Sequence, residues 1–336
     1  MFTKTFKRLY YNNNFRRRPN NYRNWDNNSS VNSPFSSTPF YQFYSHFKTP
    51  NGKRQLLIFG SLGASFYFYN LETVPLSNRL RFSWIPDSLM VRIGKMSYNS
   101  VMSQYSQEFA TNFSQDHRLV TSIFNKLLKQ AIIQEKEIKG KSSLENLNWE
   151  IHVIENRTYP PNAFVVPGGK VFVFSSLLDL CGRDPDMIAT VLGHELSHQL
   201  CGHSAESLSK SPLYFALGIA FYMATGLDGG RMIVDMLMQL PASRNMELEA
   251  DYAGLLIMSK SCYNPDKSWQ LWERMQKLEQ RNRNINVEFL STHPSSDKRE
   301  MKFKEWLPKA RQIYESSDCG NNGFLGENLM KFYSFK

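Results

Sequence analysis

The stretch DPDMIATVLGHELSHQLCGH, residues 184–203, decides how the rest of the chain is read. It opens as a helix should: Asp184 suits the N-cap and Pro185 the first helical position. On that helix His194 and His198 stand one turn apart, about 40° from each other on one face, so both imidazoles can reach a single zinc ion. Glu195 lies about 100° round from His194, beside such an ion instead of on it. There it can accept a proton from a water that the ion activates. H-E-x-x-H on a helix entered from a strand is a specific zinc-site signature.

Zinc sites that perform hydrolysis use three protein ligands and keep a fourth position open. The candidates for the third are His203, Glu206 and a distant residue. A metzincin places its third His six residues after the second, with a Gly between. Here His203 comes five after His198, directly behind Gly202, so that register is rejected. The distant candidate is SRNMELEADYAGLLI, residues 243–257, a helical stretch. Glu247 and Asp251 are i and i+4 and share a face, whereas Glu249 points away. A Glu from a second helix facing the first completes a His-His-Glu set. Asp251, one turn on, is placed to accept the free ring N–H of a ligand histidine and fix its tautomer. Glu206 receives no role.

Around these motifs the pattern is mainly α with a small β-sheet. Residues 97–138 carry apolar positions at helical spacing, and NWEIHVIE (148–155) alternates as a strand does. NAFVVPGGKVFVFSSLL (162–178) reads as a strand, a turn at Pro167-Gly168-Gly169 and a second strand entering a helix. Two further helices are expected near 266–283 and 294–316. The apolar stretches 213–227 and 231–240 suggest a helical hairpin over 211–240 that does not span a membrane.

The chain has 336 residues and a formal net charge of +10. Residues 1–71 hold ten Lys or Arg and one acid, Asp26; the other 265 residues carry 30 basic and 29 acidic side chains. The body is therefore nearly neutral, which argues against a nucleic-acid partner. The basic, acid-poor start, with Phe2, Phe6 and Leu9 on one helical stripe, fits a mitochondrial presequence followed by an Asn/Ser-rich leader over 1–45. KRQLLIFGSLGASFYFYN (53–70) has a charge-free apolar core of 14 residues, Leu56–Tyr69. Flanked by Lys53 and Arg54, it is expected to be part of a single transmembrane anchor over 53–74, with the body on the side opposite the basic N-terminus. None of the four cysteines forms a C-x-x-C pair. Cys262 and Cys319 bracket the last helical region and pair if the body sits in an oxidising space; a tail follows over 317–336.

The pair of motifs His194-Glu195-Leu196-Ser197-His198 and Glu247-Leu248-Glu249-Ala250-Asp251 resembles the E-x-x-A-D gluzincins, the HtpX-like and CAAX-prenyl-protease-like metallopeptidases. PNAFVVPGGKVFVFSSLL (161–178) resembles the family's edge-strand segment, and STHPSSDKRE (291–300) its downstream His-Pro…Arg element. The resemblance covers roughly 90–316 and implies a zincin-type peptidase domain with one Zn²⁺. It implies His194, His198 and Glu247 as ligands, Glu195 as general base and Asp251 behind a ligand. It offers His293 as oxyanion or substrate contact, with Arg244 or Arg299 nearby. It also implies that the edge segment, with Asn162, Ala163, Phe164, Gly168 and Gly169, pairs with an extended substrate. With the basic leader and the anchor, the chain is most similar to mitochondrial inner-membrane members of the family. That implies an endopeptidase facing the intermembrane space, in contact with inner-membrane lipid and possessing membrane-protein substrates, dynamin-like GTPases among them. A role in quality control under membrane stress follows from the same resemblance, and a homo-oligomer is a separate expectation. The rival expectations are an inactive membrane scaffold with a structural zinc and a soluble zinc aminopeptidase.

Overall fold

The computed structural model describes residues 46, 48–212, 240–281, 293, 297–317 and 319. The leader over 1–45, the apolar hairpin apart from its end residues, and nearly all of the tail lie outside them. The chain divides into two units, Met1–Leu56 and Leu57–Lys336. In the first, the described residues enter helix α1, Pro50–Tyr69, where Thr49 Oγ1 accepts from the Gly52 N–H at 3.0 Å.

The remaining elements follow in order: β1 (Leu71–Thr73), β2 (Leu80–Phe82), α2 (Asp87–Gln104), α3 (Gln115–Lys139), β3 (Glu150–Ile154), β4 (Ala163–Val166), β5 (Lys170–Phe174), α4 (Ser175–Cys181), α5 (Pro185–Leu200), α6 (Leu240–Lys260), α7 (Asp266–Arg281) and α8 (Asp297–Ser316). Residues 203–212 are also helical. The expected helix over 97–138 is thus two helices, broken at residues 105–114. α3 has its own start signal there: Ser114 Oγ accepts from the His117 N–H at 3.1 Å.

The three-stranded sheet runs β3-β5-β4, with β3 parallel and β4 antiparallel to β5. Strand periodicity sorts β5 between two apolar clusters. Val171 and Val173 pack with the α3 side chains Val120, Phe124 and Leu127 and the α5 side chains Leu192 and Leu196. Phe172 and Phe174 turn to the other face, against Tyr98, Tyr105 and Phe164. β4 is an outer strand of this sheet and lies against α5. Ala163 and Phe164 belong to β4, Asn162 directly precedes it, and Gly168 and Gly169 form the turn into β5.

The anchor expected over 53–74 falls on α1 and β1. Among the described residues no helix is both long and apolar enough to cross a membrane. α1 has 20 residues, but it begins with the polar run Pro50–Gln55 and ends at Tyr69, where β1 takes over at Leu71. Its apolar part rises only about 21 Å against the roughly 30 Å hydrocarbon slab. Large apolar side chains on it are nonetheless exposed, among them Leu57, Phe59, Leu62 and Phe68. Phe66 and Tyr67 are exposed as well, but each also contacts Phe82 of the β1–β2 hairpin, which sequence patterning missed. That hairpin is antiparallel, with Leu71 opposite Phe82 and Thr73 opposite Leu80.

Candidate metal centre

α5 is the central helix of the body. Asp184 caps it by accepting from the Asp186 N–H at 3.0 Å, and Pro185 occupies its first turn. Every side chain from Met187 to Ser197 is buried, because α3, α6, α7 and β4 all pack on it. Its closest neighbour is α6, and the crossing depends on Gly193 and Gly254. A Cβ on Gly254 would stand 2.8 Å from the carbonyl carbon of Gly193 and from the His194 nitrogen, closer than packed carbons tolerate. With no side chain at either position, α6 comes near enough for Glu247 and Asp251 to reach the histidines of α5.

The donor atoms then converge. One ring nitrogen each from His194, His198 and His293 and one carboxylate oxygen of Glu247 all lie within 4.8 Å of one another. His198 Nε2 is 3.0 Å from His194 Nε2, and the Glu247 oxygens are 3.4 and 3.5 Å from those two nitrogens. His293 Nδ1 is 2.9 Å from Glu247 Oε2. His194 Nδ1 donates to Asp251 Oδ1 at 3.0 Å, which turns its Nε2 toward the convergence. Arg299 fixes Asp251 by donating from Nε to Oδ2 at 2.7 Å and from Nη2 to Oδ1 at 2.8 Å. Its Nη1 donates to the His293 carbonyl at 3.0 Å, and its guanidinium lies over the Trp272 ring.

The electrostatics suit a cation. Burial pushes the His194 imidazolium down, but the bonds to Asp251 and Glu247 more than offset this and hold its pKa up at about 9. Burial pushes Glu247 up, yet His194 and His293 keep it well below the usual carboxylate range. His198 moves the other way, far below the usual imidazole value, through burial and then the neighbouring His194 and His203. A buried to half-buried set of imidazole nitrogens and one carboxylate, with one histidine oriented by a further carboxylate, is a donor set that zinc accepts.

Glu195 lies beside this set, 3 % exposed. Its Oε1 is 3.3 Å from His293 Nε2 and has no hydrogen-bond partner among the described residues. Burial raises its pKa, the direction a general base working near neutrality needs. Of the two arginines expected near His293, Arg299 is there and Arg244 is exposed.

His203 is not among the converging donors. Gly202, at φ 61°, turns the chain at the end of α5 and brings His203 back onto His198, Nδ1 to Nδ1 at 2.7 Å. His203 Nε2 meets Glu249 Oε2 at 2.9 Å. Glu249 does point away from the metal locus, as its helix position predicts, but into a second buried cluster. There Arg79 from the β1–β2 hairpin donates to Glu249 and, at 2.9 and 2.7 Å, to both oxygens of Glu206. Sequence reasoning assigned no role to Arg79, Glu206 or Glu249. A signal was present in the spacing of Glu206 one turn beyond Gly202-His203, but its partner lies 127 positions away. Cys262 and Cys319 are joined by a disulfide that ties the end of α8 to the α6–α7 connection.

The pattern that defines peptidase family M48 matches residues 122–307, which contain every residue of this centre. The chain belongs to peptidase family M48. Its relatives include the mitochondrial metalloendopeptidase OMA1 of Saccharomyces cerevisiae, 45% identical over 284 residues, which are 83% of this chain and 80% of that protein. The protein of the same name in Schizosaccharomyces pombe is 40% identical over 80% of this chain and 77% of its own. The mitochondrial metalloendopeptidase OMA1 of Homo sapiens is 28% identical over 78% of this chain and half of its own length. This M48 chain is a zinc-dependent metalloendopeptidase of mitochondria.

Proposed function

We propose that the centre on α5 and α6 holds one zinc ion through His194, His198 and Glu247, and that the chain cleaves membrane proteins at the mitochondrial inner membrane. The observation that carries this reading is the convergence of those donors beside a buried Glu195 whose Oε1 has no hydrogen-bond partner among the described residues. Bound there, zinc supplies Lewis-acid polarisation of the scissile carbonyl and acidifies a water. Glu195 accepts that water's proton at Oε1 and passes it to the leaving amine nitrogen. Asp251 holds the His194 ring in the tautomer that presents Nε2. His293, held through its carbonyl by Arg299, aims Nε2 at the side occupied by Glu195 and so contacts the oxyanion or the substrate. β4, with Ala163 and Phe164, is an outer strand of the sheet and offers main-chain groups to an extended substrate strand, and Asn162, Gly168 and Gly169 bound it.

The exposed apolar side chains of α1 support embedding in inner-membrane lipid, with the peptidase body in the intermembrane space. The Cys262–Cys319 disulfide is consistent with that compartment, since such bonds persist where conditions are oxidising. Membrane-protein substrates, dynamin-like GTPases among them, a role in quality control and a homo-oligomer complete the reading. In Glu195→Gln, zinc content is expected to be retained while peptide hydrolysis falls by about 10²–10⁴-fold. Hydrolysis at the parent rate would overturn the mechanism.

A further inference from the structure

The cluster behind His198 is a chain of hydrogen bonds whose directions follow once His203 is taken as neutral. Glu249 accepts from Arg79 at Nε (3.2 Å to each oxygen) and Nη2 (2.7 Å), and from the Ser77 hydroxyl. A carboxylate so placed beside a guanidinium only accepts. The hydrogen between Glu249 and His203 therefore resides on His203 Nε2. With His203 neutral, its Nδ1 is a lone pair, and the 2.7 Å contact to His198 Nδ1 then places the hydrogen on His198. That leaves the lone pair of His198 on Nε2, which faces His194 Nε2 and Glu247. In the opposite tautomer Nε2 would carry a hydrogen and could not bind a metal. Cys201, His203 and Glu249 also approach within 4.8 Å of one another. They do not make a second metal site, because His203 and Glu249 are already engaged and burial pushes the Cys201 thiol up, away from the thiolate a metal needs.

We infer that His203 is a positioning residue that presents His198 Nε2 to the metal, and that Glu249 and Arg79 extend this relay to the hairpin following the apolar helix. The inference rests on the proposed ligand set His194, His198 and Glu247. The hairpin holds the outer end of the relay twice, since Arg79 also binds both oxygens of Glu206, and Lys210 backs Glu206 at 2.6 Å. Whatever shifts residues 77–79 therefore acts on the tautomer of a metal ligand without touching the metal.

The test is zinc affinity of the detergent-solubilised full chain, measured by competition with a fluorescent chelator and with thermal midpoints recorded in parallel. His203→Leu is expected to weaken zinc binding by about 10–100-fold. His203→Asn, whose Oδ1 can accept at the place of Nδ1, is expected to recover most of that loss. Arg79→Gln, at the partly exposed end of the relay, is expected to weaken binding by about three- to tenfold. Parent-like affinity in His203→Leu overturns the inference, as does a loss that His203→Asn does not recover. If His203→Leu does not fold, Arg79→Gln decides, and parent-like affinity there overturns the inference. Glu247→Ala separates the two readings. If it removes zinc binding while His203→Leu does not, the relay alone fails. If it leaves zinc binding intact, the ligand set fails and the relay with it.

Discussion

His194 and His198 occupy adjacent turns of one helix and face the same locus, yet the protein holds them in different ways. His194 is fixed in one step: Asp251 accepts from Nδ1, and Arg299 fastens Asp251 by two hydrogen bonds. All three groups are buried, on α5, α6 and α8. His198 is fixed in two steps, through the imidazole of His203 to Glu249, and the last cation, Arg79, is 32 % exposed and sits on the hairpin after α1. Both arrangements end in an arginine–carboxylate pair, so the difference lies in length and address. The short relay is closed inside the peptidase core. The long one reaches a segment next to an apolar helix whose side chains are exposed, so in the proposed site the second ligand histidine answers to a different part of the molecule from the first.

The largest effect is expected from cutting the short side. Asp251→Asn keeps the shape and leaves an acceptor for His194, but removes the nearer anionic partner of Arg299 in a buried position and leaves Glu247 at 3.5 Å as the next. Breaking one partner of a buried ion pair costs about 3–5 kcal/mol, so the thermal midpoint should fall steeply and zinc affinity with it. An unchanged midpoint would show that Arg299 is compensated elsewhere and that the two sides do not differ as described.

A smaller effect should strike both sides together. Asp251 and Glu249 ride on the same helix, and that helix meets α5 at the glycine pair. Gly254→Ala places a Cβ 2.8 Å from the Gly193 carbonyl carbon and the His194 nitrogen, with backbone on both sides and nothing flexible to move. Overpacking of this kind costs about 1–3 kcal/mol. Because α6 must shift, chelator competition should show weakened zinc binding that His203→Leu does not aggravate in full proportion. Strict additivity of the two changes would mean that the crossing and the long relay are independent.

The contrast also explains what could be read before the structure was in view. The short side is local in the pattern: H-E-x-x-H and E-x-x-A-D are each confined to one helix, and the i, i+4 rule puts Glu247 and Asp251 on one face. Glu249 has its direction set by the same rule, but direction away from one helix says nothing about what waits on the other side. His203 was out of register for a metal ligand, and it becomes intelligible only once Gly202 is seen to reverse the chain. Arg79 lies in a hairpin of three-residue strands, too short for alternation to declare itself, and its partners are 127 and 170 positions away. The end of α1 was illegible for a related reason. Composition marks 53–74 as apolar, but the helix stops at Tyr69 and β1 begins pairing with β2, a tertiary event that a hydropathy count does not contain.

The smallest effect tests the outer end of the long side through pH. Glu206 is buried, and burial alone would raise its pKa, but the bonds from Arg79 and Lys210 hold it below the usual carboxylate range. A carboxyl depressed in the folded chain contributes stability that is fully present above its unfolded pKa and is lost as pH falls through the folded one. Glu206→Gln should therefore lower the thermal midpoint modestly at neutral pH, since Arg79 keeps Glu249 as a partner. That deficit should shrink as the solution is acidified, because the parent's Glu206 then takes up a proton and loses the same advantage. A deficit that stays constant from neutral to acidic pH would mean that Glu206 acts by packing and not by charge. Arg79 would then be held by Glu249 alone, and the long relay would lose its second attachment to the helix that begins at His203.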